Sequence, residues 1–191
     1  MTILILGMVL FFSVHSIRIV ADGWRGVQVA RMGLNTWKAL FALLSIAGFA
    51  LMVWGYGMAR VGAPELWPLP GWLRYVSALL TLVTFILWAA AYVPRNRIKA
   101  ALGHPMVAGV KVWALAHLLS NARLIDLLVF GAFLAWSVLS FRAARQRDQA
   151  SPPPPVVGTS GNTVIAVVIG AVAWAVFARY LHPLLIGVAV M

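Results

Sequence analysis

Residues 73–93 read LRYVSALLTLVTFILWAAAYV, and this stretch decides the class of fold. It carries one charged side chain, Arg74, and neither glycine nor proline. A helix needs about 20 apolar residues to cross about 30 Å of hydrocarbon. Inside lipid every backbone polar group has to be satisfied within the protein, and a helix satisfies its own. The stretch therefore predicts a transmembrane helix.

Five more apolar runs lie on either side of this stretch: residues 2–20, 37–57, 106–120, 124–141 and 164–181. The run 106–120 is the shortest, and it crosses a bilayer only if residues 100–102 or its other flank extend it. The chain as a whole is 63% hydrophobic and 10% charged, whereas soluble domains are about 25% charged. The sequence predicts an all-α, polytopic membrane helix bundle of about six transmembrane helices. Its expected partner is therefore the lipid bilayer.

Basic residues are unevenly divided between the connections, and this asymmetry predicts the orientation. The second and fourth connections carry Arg60, Arg74 and Arg123, while the first, third and fifth carry nine basic residues: Arg25, Arg31, Lys38, Arg95, Arg97, Lys99, Arg142, Arg145 and Arg147. Cytoplasmic loops are the ones enriched in Lys and Arg. We therefore expect both termini to be non-cytoplasmic. The net charge of +11 is explained by anchoring and orientation, and no nucleic-acid partner is expected.

One segment interrupts the apolar pattern. Residues 146–162 contain four consecutive prolines followed by Gly158-Thr-Ser-Gly-Asn. Polyproline is stiff and Gly/Ser-rich chain is flexible, so this composition is typical of a linker. The predicted organisation is a bundle of five helices over residues 1–145, a cytoplasmic linker over residues 146–162 and a C-terminal transmembrane helix over residues 163–191.

Several kinds of site are excluded by residue content. There is no cysteine, which removes disulfides, thiolate metal sites and a cysteine nucleophile. The acidic residues are Asp22, Glu65, Asp126 and Asp148, and none lies near the middle of a predicted span. A carboxylate dyad or a chain of proton-relaying acids is therefore not available. This argues against an ordinary coupled transporter but leaves a facilitator open.

The four histidines are the most informative polar residues. His15 and His117 lie well inside predicted helices, whereas His104 precedes the fourth span and His182 closes the sixth. Ionisable groups within the membrane are costly, and they mark functional sites by default. His117, which shares a helix face with Trp113, has two interpretations: an interhelical hydrogen-bond donor without a cofactor, or an axial ligand of haem iron opposite an imidazole from another helix.

A short pattern repeats at two of these histidines. His104-Pro-Met-Val-Ala-Gly-Val-Lys-Val and His182-Pro-Leu-Leu-Ile-Gly-Val-Ala-Val share H-P-x-x-x-G-V-x-V. Proline is tolerated in the first turn of a helix because its missing N–H would be unpaired there. We interpret the shared pattern as a helix start rather than as a duplication.

Three separated blocks occur in an order that resembles the NnrU family. They are LILG with FFSVHSIR in residues 4–18, VPRNRIK with GHPM in residues 93–106, and KVWALAHLLSN in residues 111–121. The resemblance covers residues 1–145. It implies a multi-pass protein of the bacterial cytoplasmic (inner) membrane that is linked with denitrification, in the reduction of nitrite or nitric oxide, with nitrite or nitric oxide reductase components as possible partners.

NnrU proteins are in turn similar to the plant 15-cis-zeta-carotene isomerase, which uses haem b with histidine ligands. Its pattern has a His-Ser pair in an early helix, followed by a His-Pro pair. A Trp and an Ala-His pair come next, and the His of Ala-His lies thirteen residues after the His of His-Pro. The matching positions here are His15, His104, Trp113 and His117. By that resemblance His15 and His117 would be axial ligands of haem b iron, and His104 an accessory or alternative cofactor-binding residue.

Three functions remain open at this point. The first is a haem b protein serving nitrogen-oxide respiration as redox mediator, sensor or assembly factor. The second is a haem-dependent cis-trans isomerase of a polyene, and the third is a cofactor-free membrane scaffold or facilitator. Haem absorbance separates the third from the other two, and turnover of a cis-polyene separates the second from the first.

Overall fold

The computed structural model describes residues 1–188 and residue 190. Over these residues the regular secondary structure is helical, with no β-strand, which confirms the all-α prediction. Two compact units form, Met1–Pro64 and Glu65–Met191. The helices are α1 Thr2–Val20, α2 Asp22–Met32, α3 Leu34–Arg60, α4 Leu73–Tyr92, α5 Arg97–Leu102, α6 Pro105–Ser120, α7 Leu124–Ala150 and α8 Ser160–Ile186.

Within the described part of the chain, five helices are long and apolar enough to cross a membrane: α1, α3, α4, α7 and α8. They correspond to five of the six predicted runs, and the prediction of a polytopic helical membrane protein is confirmed. Helices α3 and α7 extend beyond the apolar runs, α7 as far as Ala150. The residues that prolong α7 are mainly Ala, Arg and Gln, which favour helix without needing an apolar environment.

The remaining run forms α6, which has 16 residues. At 1.5 Å per residue it is about 24 Å long, somewhat less than the hydrocarbon thickness of about 30 Å. Residues 100–102 do not lengthen it, because they belong to α5. Gly103, with φ 71°, ends α5, and His104 then precedes α6 with Pro105 in its first turn. Helix α6 packs against α4 and α7. The predicted count of six spans is reached only if α6 also crosses the membrane.

The orientation predicted from the basic residues can be measured by reporter fusion. An alkaline phosphatase domain, which is active only outside the cytoplasm, is expected to be active when fused after residue 191 and inactive when inserted within residues 151–157. The physical reason is the excess of Lys and Arg in the odd connections. Inactive fusions at the C-terminus together with active insertions in the linker would contradict the model with both termini outside.

Helices α1 and α3 of the first unit pack through glycines. A Cβ atom placed on Gly55 would lie 2.3 Å from the backbone nitrogen of Leu4, and one on Gly48 would lie 2.8 Å from that of Phe11. Gly7 on α1 meets α3 equally closely, with its hypothetical Cβ atom 2.4 Å from the backbone nitrogen of Met52. Small residues let membrane helices approach backbone to backbone. This pair of helices therefore depends on three glycines at its contact line.

In the second unit α4 packs against both α6 and α8. The α6 contact includes hydrogen bonds from Ser77 Oγ to the Ala116 carbonyl at 2.8 Å and from Thr84 Oγ1 to the Gly109 carbonyl at 3.4 Å. On α8, Gly170 lies directly against the backbone of Ile86, and Trp174 Nε1 donates to Thr81 Oγ1 at 3.0 Å. Hydroxyl groups within α4 thus bridge it to its neighbours in the way expected in lipid.

The segment predicted as a linker has a fixed end. Thr159 N donates to the Arg95 carbonyl at 2.8 Å, and Asn162 Nδ2 donates to the Pro94 carbonyl at 2.8 Å. Arg97 N donates in turn to Thr163 Oγ1 at 2.9 Å. Since Ser151–Val157 are all exposed, the proline-rich part is solvated while the residues that begin α8 are held on the loop before α5.

Candidate functional site

His15 lies on α1 of the first unit and is partly buried. Its Nδ1 atom is 2.8 Å from the carbonyl oxygen of Phe11, one helical turn earlier. The imidazole stacks on the Phe11 ring with centroids 3.9 Å apart, and the Phe41 ring from α3 approaches to 4.9 Å. A carbonyl only accepts hydrogen bonds, so Nδ1 carries the proton and Nε2 carries the lone pair of the neutral ring.

His117 lies on α6 of the second unit in a corresponding local environment. Its Nδ1 atom is 2.9 Å from the Trp113 carbonyl oxygen. The Trp113 and Phe130 rings lie 4.8 and 4.6 Å from the imidazole. Asp126 and His182 are close enough to His117 to interact with it electrostatically. The hydrogen bond again places the proton on Nδ1 and the lone pair on Nε2.

The two histidines therefore share a feature that suits a metal ligand. Ligating histidines commonly donate their second ring N–H to a carbonyl or carboxylate, which fixes the tautomer and the ring orientation. Both rings do this with the carbonyl four residues earlier, and both are flanked by aromatic side chains. The residues present at each position thus fit the role of an axial haem ligand through Nε2.

His104 is differently placed. Its Nε2 atom lies 2.8 Å from Asp148 Oδ2 on α7, and both side chains are only partly exposed. It precedes α6 and lies thirteen residues before His117, about 20 Å along the helix axis. The two are therefore not neighbours in one site. The contact with Asp148 occupies Nε2 and leaves Nδ1 as the other ring nitrogen. This contact was not predictable from the sequence, because the two residues are 44 positions apart.

His182 opens the α-helical segment His182–Ile186, which forms the last part of α8. It lies inside α8, directly after the π-helical turn Phe177–Leu181, and its Nδ1 atom is 2.7 Å from the Val188 carbonyl. The repeated pattern thus stands at the start of an α-helical segment at both positions, although the chain before His182 is already helical. Pro183 has no N–H to donate within the helix, and single π-helical turns accommodate such local mismatches.

A polar turn between α6 and α7 completes the surroundings of His117. Asn121 Nδ2 donates to the His117 carbonyl at 2.9 Å. Asp126 is buried, and its Oδ2 atom accepts from the Arg123 backbone N–H at 3.1 Å, which caps α7. Glu65 lies 3.9 Å from the Arg123 guanidinium. Sequence reasoning placed Asp126 at the start of a helix but did not predict that Glu65 would reach this turn.

Among the described residues, no group of three or more His, Asp or Glu side chains is arranged to hold a metal ion. A tetrahedral or octahedral site made by the protein alone is therefore not formed there. Haem iron differs, since the porphyrin supplies four ligands and the protein one or two. Whether a histidine suits haem iron therefore depends on the surroundings of its own ring.

The NnrU protein family model matches residues 3–190. The chain belongs to the NnrU family. The match extends beyond the region of resemblance seen in residues 1–145, and it includes the proline-rich segment and α8 of this NnrU protein. No curated protein and no solved structure matches the chain.

Proposed function

We propose that this NnrU protein binds haem b through His15 and His117 and serves nitrogen-oxide respiration in the bacterial inner membrane. The observation that carries the proposal is the ring environment common to the two histidines. Each donates Nδ1–H to the carbonyl of the preceding turn, each turns Nε2 into the acceptor, and each lies among aromatic rings. The chain belongs to the NnrU family, and the resemblance to that family implies the link with nitrite and nitric oxide reduction.

The residues around each histidine would serve two purposes. The carbonyl groups of Phe11 and Trp113 hold the imidazoles in one tautomer and one orientation. The aromatic rings of Phe41 and Phe130 exclude water, which lowers the local dielectric and influences a reduction potential. When bound, haem b supplies one-electron chemistry, which a redox mediator or sensor of nitrogen oxides needs.

The proposal is tested by a reduced-minus-oxidised absorbance spectrum of the protein purified in detergent from cells with abundant haem. Two neutral imidazole ligands give low-spin haem b, so we expect sharp α and β bands after reduction. The haem content measured as the pyridine haemochrome should approach one per chain. Wild-type protein that is folded and free of haem would refute the proposal and favour a scaffold.

The physiological part is tested in a denitrifying strain that lacks this gene. We expect slower anaerobic growth on nitrite and a slower rate of nitrite or nitric oxide consumption. Wild-type protein should restore the rate, and His117→Ala, expressed in equal amount, should not. Gly57→Ala serves as the control, because Gly57 is exposed on α3 and a Cβ atom there meets nothing within 4 Å. Full restoration by His117→Ala would separate the respiratory role from haem ligation.

A further inference from the structure

Helix α2 connects α1 to α3 and is the least buried helix of the first unit. None of its eleven residues, all of which the structure describes, is buried. Its apolar side chains Trp24 and Val27 are 53% and 48% exposed, and Val20, the last residue of α1, is 81% exposed. Isolated helices shorter than about 12–15 residues are marginal in water. An 11-residue helix with no buried face therefore requires a stabilising environment other than water.

The same segment carries an aromatic and basic cluster. The Trp24 and Trp37 rings meet edge to face with centroids 5.9 Å apart, and the Arg25 guanidinium lies 5.9 Å from the Trp37 ring centre. Arg31 and Lys38 are exposed nearby in the chain. The one acid, Asp22, lies 3.8 Å from Arg18, which offsets its charge. Residues 18–38 are left with a net positive charge.

We propose that the elbow formed by residues 20–38 lies in the headgroup region of the bilayer and binds anionic phospholipid headgroups. Tryptophan rings favour this region. Helices with apolar and basic side chains are stabilised there by apolar burial and by attraction to anionic lipids. Each Lys or Arg near such a surface adds to the attraction. Lipid thereby supplies the surroundings that the exposed Val20, Trp24 and Val27 lack within their own unit.

The absence of cysteine from the chain makes a direct test possible. A single Cys replacing Val27 is spin-labelled, and the full-length protein is reconstituted in nanodiscs of phosphatidylcholine alone or with about one third phosphatidylglycerol. Collision with a water-soluble nickel chelate reports water exposure, and collision with oxygen reports depth in lipid. We expect phosphatidylglycerol to lower nickel accessibility severalfold and to raise oxygen accessibility at this position.

Charge-neutralising variants show whether headgroup charge is responsible. Arg25→Gln/Lys38→Gln should lose most of the dependence on phosphatidylglycerol. The matched control Arg60→Gln/Arg74→Gln, which removes two positive charges elsewhere, should retain it. Equal accessibility of the wild-type label in both kinds of nanodisc would overturn the proposal. An Arg25→Gln/Lys38→Gln variant that keeps its full dependence on phosphatidylglycerol would also overturn it. The same holds if the control variant loses this dependence. None of these results bears on haem binding.

Discussion

His15→Ala and His117→Ala are each expected to abolish the low-spin haem b spectrum or to convert it to high spin. Loss of one imidazole opens an axial position, and a five-coordinate or water-ligated iron no longer gives the low-spin bands. The expected effect is large because the Phe11 and Trp113 carbonyls fix these two imidazoles in the tautomer that leaves Nε2 free to bind iron. The measurement is the reduced-minus-oxidised spectrum together with haem content per chain.

The other two histidines provide matched comparisons. His182→Ala is expected to keep the spectrum, even though His182 is near enough to His117 to interact with it electrostatically. His104→Ala is also expected to keep it, because His104 precedes α6 and lies about 20 Å from His117 along the helix axis. Wild-type spectra in both His15→Ala and His117→Ala would refute the ligand assignment. Loss of the spectrum in His182→Ala alone would transfer the role to His182.

The membrane-spanning helices were predictable because a helix needs about 20 consecutive apolar residues to cross the hydrocarbon core. The run 73–93 corresponds to α4 within one residue, and the first run coincides with α1. The apolar runs did not predict the helical residues that lie outside them. Residues 142–150 continue α7 although they are charged, and residues 22–32 form α2 within a predicted connection. Hydropathy does not report on helices that lie outside hydrocarbon.

The candidate site was predictable only in part. The positions of His15 and His117 inside helices followed from the apolar runs, and the i−4 carbonyl partners follow from helix geometry once the helices exist. The contact between His104 and Asp148 did not follow, because it depends on how α6 and α7 pack. The same holds for Glu65, whose approach to Arg123 requires the loop before α4 to fold back onto the turn after α6. Contacts between distant segments are set by tertiary packing, and a single sequence gives no signal of them.

Gly55→Ala is expected to destabilise the protein strongly, although it adds only one methyl group. The new Cβ atom would lie 2.3 Å from the Leu4 backbone nitrogen and 2.6 Å from the Leu4 Cα atom. Backbone atoms cannot turn aside as a side chain can, so α1 and α3 have to separate. Overpacking of a close contact costs about 1–3 kcal/mol, occasionally more. The measurement is the unfolding midpoint in a fixed detergent, which should fall by several degrees.

Gly57→Ala is the matched control two residues along the same helix. A Cβ atom there meets nothing within 4 Å, and alanine favours helix over glycine by up to about 1 kcal/mol. The control is therefore expected to leave the midpoint unchanged or to raise it slightly. Gly48→Ala, whose Cβ atom would lie 2.8 Å from the Phe11 nitrogen, should behave like Gly55→Ala. Equal midpoints for Gly55→Ala and Gly57→Ala would mean that close approach of α1 to α3 does not limit stability. His15 and Phe41 face each other across the same pair of helices, so the Gly55 variant should also alter the haem spectrum if His15 is a ligand.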